Sequence, residues 1–519
     1  MNRIIAGKKI GSLTLFGILF LGLLLRLIFL GSKSFYSDEG TTWFIVLGEI
    51  FSDAHPPLYF WTVKWFLKIL GWSEFAGRLP SVIYGIICIP LFFRIGTKFF
   101  GEETGRYAAV LTSFSVFLVL ISQEMRMYGL LGLETVLALW FFLNIINEDQ
   151  PRFKWWLGLF LTSLAGIYTQ TLFVFLLFYF GIVILSAPGG KRWRKIGWFA
   201  LFTLLLIICY LPVIYDILSK TGTRVHIFAA SFWHVKVNIL RVLKSYFSFI
   251  YGNYFLNLPG SFFQYVQSHP WFIVIFTAML VTWVLMFVFG LLGFVKKYFA
   301  GEKRNITVVV LLGMMLYSSI LFFFLDVSSP RQMIFIYVPY IFIIASFFTV
   351  RKRILKFGIL GLWLALNTIS LVDYYREPYF EYEKADWREL AGELEKRLLP
   401  DDKIFFVMPR NGYYTLKFYL PYIVNEVYYR ARPDYPDDKP GHHQLKWGDH
   451  QRPAAELVRE IALLHPRIWV IGWTSMWYDD EYYRAHYEVE KFNFGPGFEL
   501  HLYTRKAGLP PAEGSLETF

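Results

Sequence analysis

Two adjacent carboxylates and an imidazole stand close together near the start of the chain: Tyr36-Ser37-Asp38-Glu39-Gly40, then His55-Pro56-Pro57. A carboxylate is suited to taking a proton from an attacking hydroxyl. A charged pair beside an apolar run is costly unless something there is paired, bound or activated. The same residues also suit helix capping, with Ser37 or Asp38 at the start of a helix over Glu39 to Ile50. Neighbours in such a helix point about 100° apart, so Asp38 and Glu39 face different partners rather than share a proton. The two prolines hold His55 extended, end the first helix and start another at Leu58. Taken alone, His55 reads equally well as the solvated side chain of a rigid turn, and a lone His is a poor metal signal.

Arginines recur at the ends of other apolar runs. Arg78-Leu79-Pro80 closes the same loop, where an arginine can also snorkel to lipid headgroups. Arg26 lies within the first apolar run, a costly position, and is expected near its outer end, reaching a carboxylate or an anionic lipid. Ser122 to Gly129 forms a very short turn. If helical, it puts Glu124 and Tyr128 on one face and leaves Arg126 for an outside anion such as a lipid phosphate. Asp326 to Arg331 repeats the pairing of an acid with an arginine. Each turn has a bland reading as an ordinary interfacial turn. Together, carboxylates and arginines fit a reaction on a lipid phosphate that carries a transferable group. The arginines hold the phosphate leaving group, the carboxylate takes the acceptor's proton, and the transition state resembles that of glycoside cleavage.

The elements that position these residues are set by composition. The 519 residues are 56% hydrophobic and 20% aromatic, with apolar runs long enough to cross a bilayer. Eleven candidate spans lie near 10–30, 79–97, 107–121, 129–146, 155–170, 171–187, 197–215, 271–295, 306–325, 332–350 and 355–372. The first resembles a signal peptide, but Arg26 and the lack of a small-residue site read as a permanent span. The net charge of +12 comes from basic residues concentrated in short loops: Arg94 to Arg106, Arg152 to Lys154, Lys191 to Lys195, Lys296 to Arg304 and Arg351 to Lys356. That pattern puts these loops and the N-terminus in the cytoplasm and removes any need for a nucleic-acid partner. Cys88 and Cys209, both in apolar runs, read as core residues.

The other side then holds loops at 31–78 and 216–270 and everything from 373 to 519. Phe232, Val235, Ile239, Val242 and Tyr246 have helical spacing, fitting either an interfacial helix over the site or a surface-lying one. The tail alternates helix and strand patterns: a helix from Trp387, a buried strand from Lys403, a helix over Ala454 to Leu464 and a strand from Arg467, with a Pro/Asp/His-rich loop at 432–452. The expected architecture is a membrane domain over 1–372 and an extracytoplasmic α/β domain over 373–519.

The motifs Asp38-Glu39, His55-Pro56-Pro57-Leu58, Arg78-Leu79-Pro80-Ser81, Gly105-Arg106-Tyr107-Ala108-Ala109, Ser122 to Tyr128 and the segment from Pro330 resemble those of a known superfamily. It contains the membrane-embedded protein O-mannosyltransferases and aminoarabinose transferases, and the resemblance covers about residues 13–350. It implies a polytopic helical GT-C-like fold and inverting sugar transfer from a polyprenyl-phosphate donor at the outer face of the cell membrane. It implies Asp38 as base and Glu39 as its helper. Arg126 and Arg331 become candidates for the donor phosphate, with His55, Arg78, Glu124 and Tyr128 as further substrate-binding positions. Some relatives hold a divalent metal near the first-loop acid. Here His55, His226 and His234 are available, but no ligand set is fixed and no cofactor is required by the sequence. The acceptor (lipid, glycan or protein) and the sugar are open. The competing class is a transporter or flippase of lipid-linked sugars. Transporters more often place ionisable groups at mid-bilayer in repeated halves, and no repeat is visible here.

Overall fold

The computed structural model describes residues 2–48, 56–186, 192–220, 235–251, 271–299, 306–324, 329–349, 352–376, 386–409, 411–421, 427–430, 442–445, 465–473, 485–494 and 498–507. In chain order the helices are α1 (Asn2–Leu27), α2 (Ser37–Leu47), α3 (Leu58–Leu70), α4 (Glu74–Phe100), α5 (Glu102–Phe114), α6 (Val116–Ser122), α7 (Tyr128–Asn147), α8 (Phe153–Thr169), α9 (Phe173–Ser186), α10 (Arg192–Lys220) and α11 (Val235–Tyr251). They continue as α12 (Trp271–Phe299), α13 (Ile306–Phe324), a 3-10 turn (Pro330–Met333), α14 (Ile334–Phe347), α15 (Arg353–Arg376), α16 (Trp387–Arg397) and α17 (Asn411–Tyr419). The strands are β1 (Lys403–Pro409), β2 (Val427–Arg430), β3 (His442–Leu445), β4 (Arg467–Trp473), β5 (Tyr487–Asn493) and β6 (Phe498–Arg505).

The chain forms two compact units. The first comprises Met1–Gly31 and Phe51–Glu377 and, among the described residues, is helical. Lipid offers no hydrogen bonds to the backbone, so apolar spans must satisfy their own. The eleven apolar runs expected from the sequence lie, among the described residues, mainly on helices. Among the described residues, however, seven helices are long and apolar enough to cross a membrane, or eight if the bent pair α5–α6 is one span. The sequence reading expected about eleven spans, counting shorter runs that this length criterion leaves out. The runs that fall short are still helical: α8 has 17 residues and α9 has 14, and α1 contributes the apolar stretch Thr14–Leu27.

The α5–α6 pair bends by 56°. Ser115 sits at the break with extended ψ, and its Oγ accepts from Leu118 N at 3.3 Å, capping α6. The broken end of α5 exposes carbonyls that its own helix cannot satisfy. Arg26 supplies the donors: its Nη2 reaches Thr112 O at 3.1 Å, its Nη1 reaches Ser113 O at 3.1 Å and Gly22 O at 2.9 Å, and its Nε reaches Ser122 Oγ at 3.2 Å. Arg26 is fully buried. The expectation that it reaches a carboxylate or lipid is therefore corrected: its partners are the backbone of a broken helix. Gly85 permits this approach, because a Cβ there would lie 3.0 Å from Arg26 Nε and closer still to Ser122.

At the heart of this unit α14 is buried along its whole length. Tyr337 packs on Phe117 and Phe249, and Tyr340 on Tyr246 and Phe287. Phe249 and Tyr246 belong to α11. The surface-lying reading of this segment is corrected for its second half, since Ser245 to Tyr251 are buried. In α7, buried Glu134 accepts from Thr169 Oγ1 at 2.8 Å.

The second unit comprises Ser32–Ile50 and Pro378–Phe519. The sequence reading left the first of these segments with the membrane part, whereas its described residues pack with the tail. A six-stranded sheet runs β3-β2-β1-β4-β6-β5. β1 pairs in parallel with β2 and β4, and β6 pairs antiparallel with β4 and β5. Ile404, Phe405, Phe406 and Ile468 to Ile471 are buried, as continuous apolar strands should be. Amphipathic α16 buries Trp387, Leu390, Ala391 and Leu394 and is capped by Asp386, which accepts from Glu389 N at 3.1 Å. Residues 442–445, expected within a loop, form β3 beside β2. The helix expected over Ala454 to Leu464 lies outside the described residues.

Candidate active site

The carboxylates sit in the first turn of α2, in the second unit. Tyr36, extended, occupies the N-cap, one residue before Ser37 and two before Asp38, the expected caps. Glu39 is fully buried, and its Oε2 accepts from Tyr36 N at 3.3 Å, the reach-back half of a capping box. Glu39, rather than Asp38, is thus the acid that serves the cap. Asp38 is half-buried, and its backbone carbonyl accepts from Thr42 Oγ1 at 3.2 Å. The two carboxylates have different surroundings, as their angular separation on a helix requires.

The arginine cluster belongs to the first unit. Residues 123–127 make a bend between α6 and α7, not a helical turn, so the face-sharing expected of a helix there does not apply. Gln123 anchors the bend by donating from Nε2 to Ile28 O at 2.7 Å and Arg26 O at 3.0 Å, where the end of α1 leaves carbonyls open. Glu124 Oε2 pairs with Arg331 Nη1 at 3.0 Å, the two side chains being 11% and 19% exposed. Arg331 Nε donates to Ser329 Oγ at 3.2 Å, and its guanidinium lies 5.4 Å from the centre of the Tyr128 ring. Three predicted site residues are brought together here: Glu124, Tyr128 and Arg331.

Arg126 is buried, and its carbonyl accepts from Ser81 Oγ at 3.5 Å, Ser81 itself being 3.1 Å from Tyr59 Oη. Arg78 is also buried and donates from Nη1 to Leu30 O at 3.0 Å. That corrects its reading as a headgroup-reaching side chain: it ties down the chain just after α1. His55, His226, His234 and Asp326 lie outside the described residues. Among the described residues, no group of three or more His, Cys, Asp or Glu side chains could hold a metal ion. The sequence reading missed Gln123, Ser122 and Ser81 as organisers of the bend. Arg26 in an apolar run was the one signal pointing to them.

Three comparisons bear on this arrangement. A family model described as dolichyl-phosphate-mannose-protein mannosyltransferase matches residues 54–215. A sequence search of curated proteins found no match. Among solved structures, ArnT from Cupriavidus metallidurans in the apo state aligns with a TM-score of 0.57 at 10% identity, covering 94% of this chain and 97% of that one. The same protein bound to undecaprenyl phosphate aligns at 0.56 and 11% identity, covering 95% and 98%. The Archaeoglobus fulgidus oligosaccharyltransferase tethered to an acceptor peptide aligns at 0.51 and 10% identity, covering 78% of this chain and 63% of that one. At such identities the structural likeness is one of fold. The family match over 54–215 and the shared fold bear out the resemblance read from the motifs.

Proposed function

We propose, on the premise that this is a GT-C glycosyltransferase of the protein O-mannosyltransferase and aminoarabinose-transferase superfamily, that it moves a sugar from a polyprenyl-phosphate donor to an acceptor hydroxyl or amine. The reaction takes place at the outer face of the membrane, with the N-terminus cytoplasmic and the second unit extracytoplasmic. The observation that carries the reading is the largely buried Arg331 guanidinium, paired with Glu124 and lying near Tyr128, in a fold whose Cupriavidus metallidurans representative was solved with undecaprenyl phosphate.

The chemistry follows from the groups. The bond between the sugar's anomeric carbon and the donor phosphate oxygen breaks as the acceptor attacks the opposite side of that carbon, which inverts it. Positive charge develops on the sugar ring and negative charge on the departing phosphate. Arg331 and Arg126 neutralise the phosphate, where charge-assisted hydrogen bonds strengthen as the leaving group forms. Asp38 takes the acceptor's proton. Glu39, committed to the helix cap, holds the turn that carries Asp38.

The test is transfer by the purified full chain in nanodiscs, using radiolabelled undecaprenyl-phosphate pentoses and hexoses and scoring release of undecaprenyl phosphate. Asp38→Asn should lose transfer by about 10²–10⁴-fold, the usual range for a general base, while still binding undecaprenyl phosphate. Full transfer by that variant would falsify the base assignment. Lipid translocation without any transfer by the unaltered chain would favour the transporter class.

A further inference from the structure

The α/β tail has no catalytic group of its own in the reading above, yet it holds α2, the helix bearing Asp38 and Glu39. The contact is tight and one-sided. A Cβ at Gly40 would lie 2.7 Å from Thr415 N and 2.8 Å from Thr415 Cα in α17. The helices therefore touch backbone to backbone at a point two residues from Asp38, and only glycine fits. Beside that point Phe44 lies on Tyr414 with ring centres 4.3 Å apart, and Trp43 meets Phe418 edge-on at 5.3 Å. The entry to α2 is tied as well: Phe35 N donates to Tyr419 Oη at 2.7 Å.

At about 100° per residue, Gly40 lies roughly 200° around the helix from Asp38, and Trp43 and Phe44 lie roughly 140° and 240° around. The face clamped to α17 is thus the one opposite Asp38. Clamping it fixes both the height and the rotation of α2, and with them the direction in which the Asp38 carboxylate points.

We infer that the C-terminal α/β domain is the mount of the catalytic carboxylate, with Gly40 and Tyr414 as positioning residues that set the orientation of Asp38 through the α2–α17 contact. The inference rests on the reading of Asp38 as the base. The expected consequence is a loss in the chemical step rather than in donor binding, because a displacement of about 1 Å in a catalytic group can cost on the order of 10²-fold in rate.

The experiment uses the full chain in nanodiscs with Gly40→Ala, Tyr414→Ala and the conservative Tyr414→Phe. Hydrogen exchange of the α2 amides, binding of undecaprenyl phosphate, and kcat and KM for the undecaprenyl-phosphate sugar series are read on each. Gly40→Ala and Tyr414→Ala should exchange faster over 37–47 and lose about 10–100-fold in kcat. Their KM and undecaprenyl phosphate binding should stay within about twofold, the split expected when only transition-state alignment is lost. Tyr414→Phe, which keeps the ring, should return both protection and kcat close to the starting protein. Unchanged α2 exchange in Gly40→Ala overturns the mount. So does faster exchange with undiminished kcat, or a kcat loss matched by an equal loss of lipid binding. Asp38→Asn in the same assay separates the two readings. Retained transfer there sinks the base, whereas retained kcat in Gly40→Ala beside an inactive Asp38→Asn sinks the positioning role alone.

Discussion

A donor phosphate held by Arg331, as proposed, would meet a guanidinium with an anion already in place. Glu124 holds one edge of the guanidinium at 3.0 Å, so a donor phosphate must share the arginine or displace the carboxylate. Two opposite effects on lipid binding follow. Glu124→Gln should tighten undecaprenyl phosphate binding by removing a competing charge. Arg331→Ala should weaken it by about 10–100-fold, as expected for a hydrogen bond to a charged group. Equal weakening by both variants would mean that the pair is structural scaffolding. Arg26 is a separate case, because its partners are backbone carbonyls. Arg26→Met should lower stability by about 1–3 kcal/mol for each carbonyl left buried and unpaired, Thr112 and Ser113 being two of them. The melting temperature in detergent would register that loss, and an unchanged value would show that the break in α5–α6 relaxes without it. The sequence marks both arginines as unusual from their placement alone. It does not reveal their partners. Ser122 and Glu124 are separated from them by 96 and 207 residues, and a single sequence carries no pairing information over such distances.

Helices are the most legible level of this protein. The apolar runs dictate them because a bilayer leaves the backbone no other partner, and the tail's alternation of amphipathic and apolar segments gave α16, β1 and β4. What stayed hidden were breaks and inserts. Ser115 lies inside a hydrophobic run and changes neither its composition nor its period, yet it divides a span. Its Oγ caps α6 and also donates to Phe249 O at 3.2 Å. Ser115→Ala should therefore cost about 1–2 kcal/mol, the usual value of a lost cap, seen as a lower melting temperature with the fold retained. β3 was hidden for the reverse reason: His442 to Leu445 sit among prolines and aspartates, and only pairing with β2 makes them a strand. The first turn of α2 offered two acceptable caps, Ser37 and Asp38, and the reach-back of Glu39 to a cap at Tyr36 depends on its burial, which spacing does not determine.

For the whole molecule, the distribution of Lys and Arg makes a prediction that needs no knowledge of the substrate. With Cys209, the exposed native cysteine, replaced by serine, a cysteine introduced at Glu395 in the tail should react with a membrane-impermeant maleimide from outside intact cells. One at Asp149, beside the basic segment from Arg152, should react only after permeabilisation. The reverse pattern would invert the assignment of sides and remove lipid-carried donors from consideration. The sequence foresaw a helical part with apolar spans followed by a sheet-bearing tail. It did not foresee that the sheet-bearing unit borrows Ser32–Ile50 from the front of the chain, because nothing local in that segment announces a partner so far downstream.

That borrowing has a consequence for how the protein is made. Phe35 and its partner Tyr419 are 384 residues apart. At synthesis rates of about 5–20 residues per second, the helix with the paired acids is finished some 20–80 s before its support exists. Throughout that interval α2 is without its packing partner. A ribosome that stops before α17 leaves a membrane protein with its acids unanchored. On the proposed role of Asp38, readiness for chemistry is thereby tied to translation having reached the tail.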